Sequence, residues 1–414
     1  MSETPNTSQV SMQEFIVLIA LLMSIVAISI DAMLPALGVI GVEFHITNSN
    51  HVQYLIGIFF AGMSAGQLVC GPASDAMGRK PVLYCGIFIY LIGTAICFFA
   101  NSFGLLLIGR LIEGLGVAGP YVTAVSVVRD RYSGRDMARV MSVIMMIFIL
   151  VPAIAPSLGQ GIMLFASWRY LFVLYVVYAL VIAVWIAVRL EETLPPSHRV
   201  PFNAANIVHG FKEIIRNRTT VSYMACAGIS FGSFIGYLNS SQQIFQGYFN
   251  TGKMFTVYFG VLALILGIAS LINSRFVRQF GMRFICIRST FTITVTSALF
   301  LVVNLLMHID LWMFLIYAAI LFFSFGLMFG NLNSIAMEPM GHIAGIASAV
   351  IGATSSCLSL VLGSLIGQLY DNSLIPVVSG FLILGCISFV IMVSENSAKG
   401  ETDETLSSEA PAIH

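Results

Sequence analysis

Long apolar runs alternate with short polar clusters along almost the whole chain. Twelve of these runs are roughly 20 residues long or longer, which is the length that an α-helix needs to cross a lipid bilayer. The pattern therefore predicts an all-α membrane protein with twelve transmembrane helices, at residues 15–40, 51–72, 81–100, 103–128, 139–164, 167–188, 220–247, 254–273, 284–307, 311–337, 343–369 and 374–393.

The connections between the apolar runs are short, except for residues 189–219, which separate the twelve helices into two sets of six. The stretch "DAMGRK" after the second run is weakly similar to "RQFGMR" after the eighth run, which indicates an internal repeat. Transporters are commonly built from such repeats, with the substrate site between them. The expected units are an N-terminal segment (1–14), a six-helix bundle (15–188), a linker (189–219), a second six-helix bundle (220–393) and a tail (394–414).

Composition agrees with this class of protein. Hydrophobic residues make up 58% of the chain and charged residues 9%, whereas about 25% of the residues in a soluble protein are charged. The formal net charge is zero, so a nucleic-acid partner is not expected. The cysteine and histidine spacings fit no metal site, and the chain has no phosphate-binding loop and no nucleophile motif. We therefore expect no metal, no cofactor and no enzymatic activity.

The positions of the basic residues predict how the helices are oriented. All but three of the 19 Lys and Arg residues fall in segments on one side of the membrane, if both termini are on that side. The exceptions are Arg169 and Lys253 on the opposite side and Arg110 inside a helix. Because Lys and Arg are enriched in cytoplasmic loops, the N-terminal segment, the linker and the tail are all predicted to be cytoplasmic.

Three charged residues lie clearly inside the predicted membrane region, and all belong to the first six helices. Asp31 lies about nine residues before the outer end of the first helix, and Arg110 about seven residues after the outer start of the fourth. At about 1.5 Å per residue, both are some 10–14 Å deep, and Glu113 is one turn deeper. A charge at such depth costs at least ~2.5–3.5 kcal/mol, so these groups are expected to face an aqueous cavity or each other.

Two interpretations of these charges remain open. Asp31, Arg110 and Glu113 could form a static ion cluster that holds the first and fourth helices together. Alternatively, Asp31 or Glu113 could carry a proton, with Arg110 as the charge that tunes the carboxylates; burial and a nearby arginine shift a carboxyl pKa in opposite directions. The sequence leaves open which carboxylate carries the proton.

The loop "GPASDAMGRKP" resembles the signature of the major facilitator superfamily. The matching positions are Gly71, Asp75, Gly78, Arg79 and Lys80. The stretches "SIDAMLPAL", "GRLIEGLGVAG", "VVRDRYSGRDMARVMS", "VPAIAPSLGQG" and "NSIAMEPMGHIAGIASAVIGA" resemble the bicyclomycin-resistance branch of its drug–proton antiporters. The resemblance covers residues 15 to about 393. It implies a monomeric exporter of the bacterial inner membrane that uses the proton gradient to move amphipathic drugs by rocking of two six-helix bundles.

The resemblance also implies roles for particular residues. It places a cytoplasmic gate at Asp75, Gly78, Arg79 and Lys80, with Arg129 or Arg135 as a basic partner of Asp75; the simpler alternative is a topology signal with a solvated ion pair. Two motifs depart from the family pattern, because Glu113 replaces a Gln in the fourth helix, and the fifth helix carries Ala155 and Gln160 in place of two glycines. The residues that remain to bend or closely pack the fifth helix are Pro152, Pro156, Gly159 and Gly161.

The second set of six helices has no deep charge, but it carries amides. Asn239, Gln243 and Asn331 are expected to line a broad substrate cavity, because an amide that faces lipid is left unsatisfied. Three alternatives to a drug exporter remain: an exporter of one endogenous metabolite such as a siderophore, a proton-coupled nutrient importer, and a membrane scaffold or receptor. The three buried charges argue against the last of these, since a scaffold gains nothing from them.

Overall fold

The computed structural model describes residues 11–132, 134–199 and 204–409, and within these ranges it contains helices and turns but no strand. The helices are α1 (Met12–Asp31), α2 (Leu37–Glu43), α3 (Tyr54–Met77), α4 (Arg79–Phe98), α5 (Phe103–Arg131), α6 (Gly134–Phe165), α7 (Tyr170–Arg189), α8 (Ala204–Arg216), α9 (Arg218–Gln242), α10 (Phe255–Phe280), α11 (Met282–Leu306), α12 (Leu311–Met337), α13 (Ala344–Gln368) and α14 (Ile375–Glu409).

The helices account for the twelve predicted spans. Eleven helical segments of the described chain are long and apolar enough to cross a membrane, and α6 contributes a shorter apolar segment, Leu150–Phe165, at the position of the fifth span. The first span runs over Met12–Glu43 and includes both α1 and α2. Helix α8 is an extra helix in the linker and packs against α9 and α13. A π-helical turn, Gln243–Tyr248, extends α9.

The helices form two six-helix bundles. In the first bundle, α5 packs against α3 and α4, while α6 packs against α1; in the second, α9 packs against α13 and α14, and α10 against α12. Two helix pairs join the bundles, α3 with α13 and α6 with α10. Both contacts use small residues: a Cβ on Gly71 of α3 would lie 2.7 Å from the Cβ of Ala349, and one on Gly260 of α10 would lie 2.8 Å from the Ala153 carbonyl oxygen.

Glycines fix α5 tightly between its two neighbours. A Cβ added at Gly114 would lie 2.0 Å from the carbonyl oxygen of Phe59 on α3, and one at Gly116 would lie 2.2 Å from the backbone nitrogen of Tyr90 on α4. Such distances are possible only for glycine, and small residues of this kind let membrane helices approach closely. The segment of α5 that carries Arg110 and Glu113 is therefore held in one position relative to α3 and α4.

The two ends of the molecule differ in the residues that they carry. The linker end holds the start of α1 and the end of α7, joined by an ion pair of 2.6 Å between Glu14 and Arg189. The far end is opposite and holds the end of α2, where Glu43 accepts a hydrogen bond from the Trp168 indole and pairs with Arg169. The ion clusters around Arg79 and Arg283 lie at the linker end, and the interbundle amides lie at the far end.

Candidate functional site

Asp31 is the last residue of α1, at a break in the first membrane span. The break follows from Pro35, because proline has no N–H to donate to the carbonyl four residues earlier. The chain continues through a 3₁₀ turn, Leu34–Ala36, into α2. Helix α6 reaches this break closely, since a Cβ added at Gly159 would lie 1.9 Å from the Ala32 carbonyl oxygen. The close approach of α6 thus fixes the backbone beside Asp31.

The Asp31 side chain is buried and unpaired. It is 5% exposed, and within the described part of the chain no hydrogen bond or ion pair reaches its carboxylate. The neighbouring Ser29 hydroxyl is instead hydrogen-bonded to the Tyr90 hydroxyl at 2.6 Å, and Tyr175 donates to the Ser29 carbonyl at 3.3 Å. An unpartnered buried carboxyl group is much less costly as the neutral acid than as the anion.

Arg110 and Glu113 form an ion pair on one helix. The Arg110 Nη1 to Glu113 Oε2 distance is 2.6 Å, and both side chains are fully buried. Arg110 Nε also donates to the Leu55 carbonyl of α3 at 3.2 Å, and its guanidinium lies 4.5 Å from the centre of the Phe59 ring. Residues three apart on a helix face each other, so this pair needs no second helix.

This pairing corrects the static interpretation of the three charges. Arg110 does not join α1 to α5 through Asp31; its partners are Glu113 on α5 and the backbone of α3. Depth along the membrane, which the sequence predicts, does not determine which helix faces which. Among the described residues, Arg110 Nη2 and Glu113 Oε1 remain without a hydrogen-bond partner.

At the linker end, the predicted gate is organised around Arg79. This side chain is 3% exposed, and it pairs with Asp75 at 2.6 Å and with Asp130 at 2.8 Å. Of the two expected basic partners of Asp75, Arg129 is corrected: the cation that contacts Asp75 is Arg79, four residues further along the chain and across the Gly78 break. The side chain of Arg135 lies outside the described residues.

The linker contributes a residue to this cluster that the sequence did not single out. The Glu192 carboxylate accepts hydrogen bonds from the backbone N–H groups of Arg79 (2.9 Å), Lys80 (3.0 Å) and Leu194 (3.1 Å). It thereby caps the start of α4, where free N–H groups attract an anion. Gly78 permits this approach, with a φ of +105° and only 2.9 Å between the site of a Cβ and Glu192 Oε2.

Electrostatics of the Glu192 site favour the anion. Burial alone would raise the pKa of Glu192, but the three backbone N–H donors and the nearby Arg199 guanidinium outweigh burial and lower it below its ordinary value of 4.5. The neighbouring Thr193 hydroxyl donates to Asp130 at 3.0 Å. Two consecutive linker residues therefore bind the ion cluster of Asp75, Arg79 and Asp130. The residue that caps the start of α4, Glu192, lies 113 residues further along the chain. The sequence by itself did not identify it because helix-capping residues are usually sought next to the helix.

The second bundle repeats part of this arrangement. Gly281, between α10 and α11, has a φ of +79°, and Gly78, between α3 and α4, likewise has a positive φ. Arg283 follows Gly281 closely and pairs with Glu395 of α14 at 2.7 Å, while Thr219 of α9 donates to the same carboxylate at 2.7 Å. The weak similarity between "DAMGRK" and "RQFGMR" thus corresponds to two loops of similar backbone shape.

At the far end, amides connect the two bundles. Gln53 Nε2 donates to Gln243 Oε1 at 2.7 Å, and Gln243 Nε2 donates to Asn50 Oδ1 at 3.0 Å. Asn50 Nδ2 donates to the Tyr370 carbonyl at 2.7 Å, and Gln368 Nε2 donates to the Asn50 carbonyl at 2.8 Å. We call Asn50, Gln53, Gln243 and Gln368 the amide latch. It holds the far end closed without any charged group.

The three amides expected to line one cavity lie in different places. Asn239 of α9 is buried and donates to the Gly363 carbonyl at 3.2 Å, and Gln243 belongs to the amide latch. Both line a cavity of about 210 Å³ at the far end, and Asn331 is not among its lining residues. Asn331 instead exchanges hydrogen bonds with Asn273 of α10 at 2.9 and 3.2 Å.

The residues predicted to shape the fifth span also differ from one another. Pro152 and Pro156 both lie inside α6, which continues through them. Gly159 makes the contact with Ala32, whereas a Cβ on Gly161 would meet no atom within 4 Å. Close packing in this span therefore depends on Gly159 rather than on Gly161.

The chain is similar to a large family and to proteins that are named for drug resistance. The Major Facilitator Superfamily model matches residues 18–364. The bicyclomycin resistance protein homolog of Haemophilus influenzae is 25% identical over 92% of this chain and 96% of that protein. The multidrug resistance protein MdtL of Klebsiella pneumoniae is 27% identical over 86% and 90%.

A solved structure has the same fold. The xylose transporter XylE of E. coli, in a partially occluded inward-open conformation, superposes with a TM-score of 0.72 at 12% identity, covering 92% of this chain and 98% of that one. The family match covers most of the chain, and the Arg79 loop and the break in α1 lie within it. The chain therefore belongs to the major facilitator superfamily and is a multi-pass membrane transporter.

Proposed function

We propose that this protein is a proton-coupled exporter of amphipathic small molecules in the bacterial inner membrane, with both termini and the linker end cytoplasmic. The relatives named for drug resistance support export, and the excess of Lys and Arg at the linker end supports the orientation. The observation that carries the proposal is the buried, unpaired carboxyl group of Asp31 at the break in α1. Ionisable groups inside the membrane mark ion, proton or substrate pathways, and a carboxyl group without a cationic partner can bind and release a proton.

Asp31 is the proton carrier in this proposal. A carrier needs surroundings that differ between the two states of the transporter, because only then does its proton affinity change. In the present state the group is enclosed and stable as the neutral acid. When the cavity opens to water, the anion is solvated and the proton leaves. The proton enters from the outside and is released to the cytoplasm, while the substrate moves in the opposite direction.

Glu113 has a different role. Its charge is compensated by Arg110 on the same helix, and glycine contacts hold that helix against α3 and α4. Rocking of one bundle against the other leaves these three helices together, so the surroundings of Glu113 change little. We assign the Arg110–Glu113 pair to the stability of the first bundle, and we assign Asp75, Arg79, Asp130 and Glu192 to the rigidity of its linker end.

Aromatic side chains support an apolar substrate. Phe60 of the first bundle contacts Phe231 of the second, with ring centroids 6.1 Å apart. The rings of Phe231, Phe234 and Phe329 also contact one another, with centroid distances of 5.5–6.1 Å. Phe231 and Phe234 are only partly buried. Partly exposed rings at the contact between the bundles suit amphipathic molecules, because most of a drug-sized binding site is apolar.

Drug accumulation in cells tests the proposal. Cells that overproduce the protein should accumulate less of an amphipathic dye such as ethidium than cells without it, and a protonophore should restore accumulation. Cells with an Asp31→Asn variant at equal membrane abundance should accumulate the dye as control cells do. Higher accumulation on overproduction would indicate import, and export that persists with the protonophore would contradict proton coupling.

A further inference from the structure

The far-end cavity lies between the bundles and is shared by them. Helix α2 and the following segment supply mostly apolar and small lining residues, including Leu37 and Val52. Helix α9 supplies Asn239 and Gln242, and its π-helical extension supplies Gln243. Gln53 of the first bundle completes the polar part of the wall. One side of the cavity is therefore mostly apolar, with His45 and Ser49 as its polar members, and the other presents four amide groups.

Two of these amides have an unused hydrogen-bond acceptor. Gln53 is 3% exposed and Asn239 is 1% exposed. Their N–H groups are bonded, to Gln243 and to the Gly363 carbonyl, but Gln53 Oε1 and Asn239 Oδ1 have no partner within the described chain. The two side chains meet beside Gly367, where a Cβ would lie 2.2 Å from Gln53 Oε1 and 3.0 Å from the Asn239 Cβ. Buried carbonyl oxygens without donors are rare in proteins.

The same residues hold the far end closed. Gln53 and Gln243 line the cavity and form the 2.7 Å hydrogen bond of the amide latch. A ligand N–H or O–H group that donates to Gln243 Oε1 competes with the Gln53 N–H group for that acceptor, and so with the bond that joins the two bundles. Occupation of the cavity and closure of the latch are thus opposed.

We propose that the far-end cavity is an exit-side binding site for the hydrogen-bond-donating part of a transported molecule, and that its occupation loosens the amide latch. The inference rests on the proposed direction of transport. The site favours a neutral or cationic molecule with N–H or O–H donors on an apolar body, because the unused polar atoms are acceptors and, among the described residues that line the cavity, the one ionisable side chain is that of His45. Its 210 Å³ is below the 300–1,000 Å³ of a drug-sized pocket, so it holds one end of such a molecule.

Two cations of equal charge test the need for donors. Ethidium carries two aromatic amino groups, and tetraphenylphosphonium carries no hydrogen-bond donor. A His45→Cys substitution at the cavity wall in the full-length protein, in lipid nanodiscs without a proton gradient, reports occupation through its rate of reaction with a maleimide, corrected for the native cysteines. Ethidium should slow this reaction, and tetraphenylphosphonium at the same concentration should leave it unchanged. Equal protection by both cations, or by neither, would overturn the proposed site.

Matched amide variants locate the effect. In Asn239→Leu, the ethidium concentration that halves the reaction rate should rise about fivefold, the equivalent of one hydrogen bond. Asn333→Leu removes an exposed amide of α12 that does not line the cavity, and it should leave that concentration unchanged. If Asn239→Leu does not fold, Gln242→Leu removes another lining amide outside the latch and should raise the concentration as well. No rise in a folded lining variant would contradict the assignment.

Spin labels report the latch. Labels at Thr47 and Met307, exposed positions at the far ends of the two bundles, should move apart when ethidium is added but not when tetraphenylphosphonium is added. An unchanged distance with ethidium bound would overturn the link to the latch. These measurements use no proton gradient, so their outcome does not depend on whether export is coupled to protons. If ethidium slows the maleimide reaction of the His45→Cys variant, the proposed binding site is supported. If a protonophore at the same time does not change drug accumulation in cells, proton coupling is contradicted while the binding site stands.

Discussion

Asp31 and Glu113 carry the same ionisable group in surroundings that give them different properties. Glu113 is fully buried and paired with Arg110 at 2.6 Å, whereas Asp31 ends α1 with a small exposed fraction and no partner among the described residues. Removing the charge of Glu113 leaves a buried cation behind. Removing that of Asp31 leaves nothing unpaired, so the two substitutions separate stability from transport.

Asp31→Asn should abolish proton-driven export without reducing stability. Asparagine has nearly the same volume, and no ion pair is lost, but it cannot bind and release a proton. The measurements are drug-induced proton release from the purified protein and its thermal unfolding midpoint. A variant that still releases protons would contradict the assignment of Asp31, and one that melts much earlier than the wild type would indicate a structural role.

Glu113→Leu should destabilise the protein by about 3–5 kcal/mol, because it leaves the Arg110 guanidinium buried and uncompensated. The double variant Arg110→Leu/Glu113→Leu should recover most of this loss, as expected for a coupled pair. Glu113→Gln is the milder control, since its carbonyl can still accept from Arg110. Thermal unfolding checks these values. Loss of proton release in a well-folded Glu113→Gln variant would make Glu113, not Asp31, the carrier.

Glu192→Ala should cost about 1 kcal/mol at neutral pH, the usual effect of losing a helix cap. The pKa of Glu192 is lowered in the folded protein, so its contribution is complete above the ordinary value of 4.5 and is lost as the pH falls through the lowered pKa. The difference in unfolding midpoint between wild type and variant should therefore shrink with increasing acidity below about pH 4.5. A difference that stays constant down to about pH 3 would contradict the capping role.

At the scale of elements, the break between α1 and α2 matters most for the site. Pro35 causes the break, and Gly159 of α6 lies against the backbone just beyond Asp31. The residue that carries the proton in the proposed function is therefore next to a contact between two helices. A change in how α6 packs on α1 would alter the surroundings of Asp31 directly.

Gly159→Ala should destabilise the protein by about 1–3 kcal/mol, the usual cost of forcing extra volume into a packed site. Its Cβ would lie 1.9 Å from a backbone oxygen, which cannot move aside as a side chain can. Gly161→Ala is the matched control in the same helix, because its Cβ meets nothing within 4 Å. It should be neutral or slightly stabilising, since alanine favours helix. Equal unfolding midpoints for the two variants would refute the contact.

At the scale of the whole molecule, the two ends are closed by different chemistry. Charged clusters at the linker end lie within each bundle: Asp75, Arg79 and Asp130 in the first, and Arg283 with Glu395 in the second. The amide latch at the far end joins one bundle to the other. In the rocking motion that we propose, the charged clusters keep each bundle rigid and the weaker amide bonds are the ones that must break.

Locking the far end should stop transport. A short bifunctional maleimide between Gln53→Cys and Gln243→Cys would hold the bundles where the latch closes them, since the native side chains lie within 2.7 Å of each other. Export by the linked protein should fall to background, while the unlinked double variant still exports. Either single-cysteine variant treated with the same reagent is the control. Undiminished export by the linked protein would contradict opening at the far end.

The sequence by itself determined the membrane class, the helix positions and the residues that merit attention. Hydropathy depends on local composition, because each run partitions into lipid on its own, and the twelve runs are found as helices or apolar helical segments. Asp31 and Glu113 were identified for the same local reason, since charges are unusual inside an apolar run, whereas the Arg79 loop was identified by its resemblance to the family signature. The end of α1 at Asp31 follows from Pro35, four residues away, but the hydropathy pattern predicted one continuous helix over residues 15–40.

Only the tertiary structure decided which residues are partners. Arg110 was placed at the depth of Asp31, but it pairs with Glu113; Asp75 pairs with Arg79 instead of Arg129. The cap of α4 comes from a residue 113 positions away, and the amide latch joins residues 190 and 318 positions apart. Depth follows from counting residues along a helix, whereas a partner depends on which helix faces are in contact. Glycines set those contacts by allowing backbones to touch, and their effect appears only when both helices are in place.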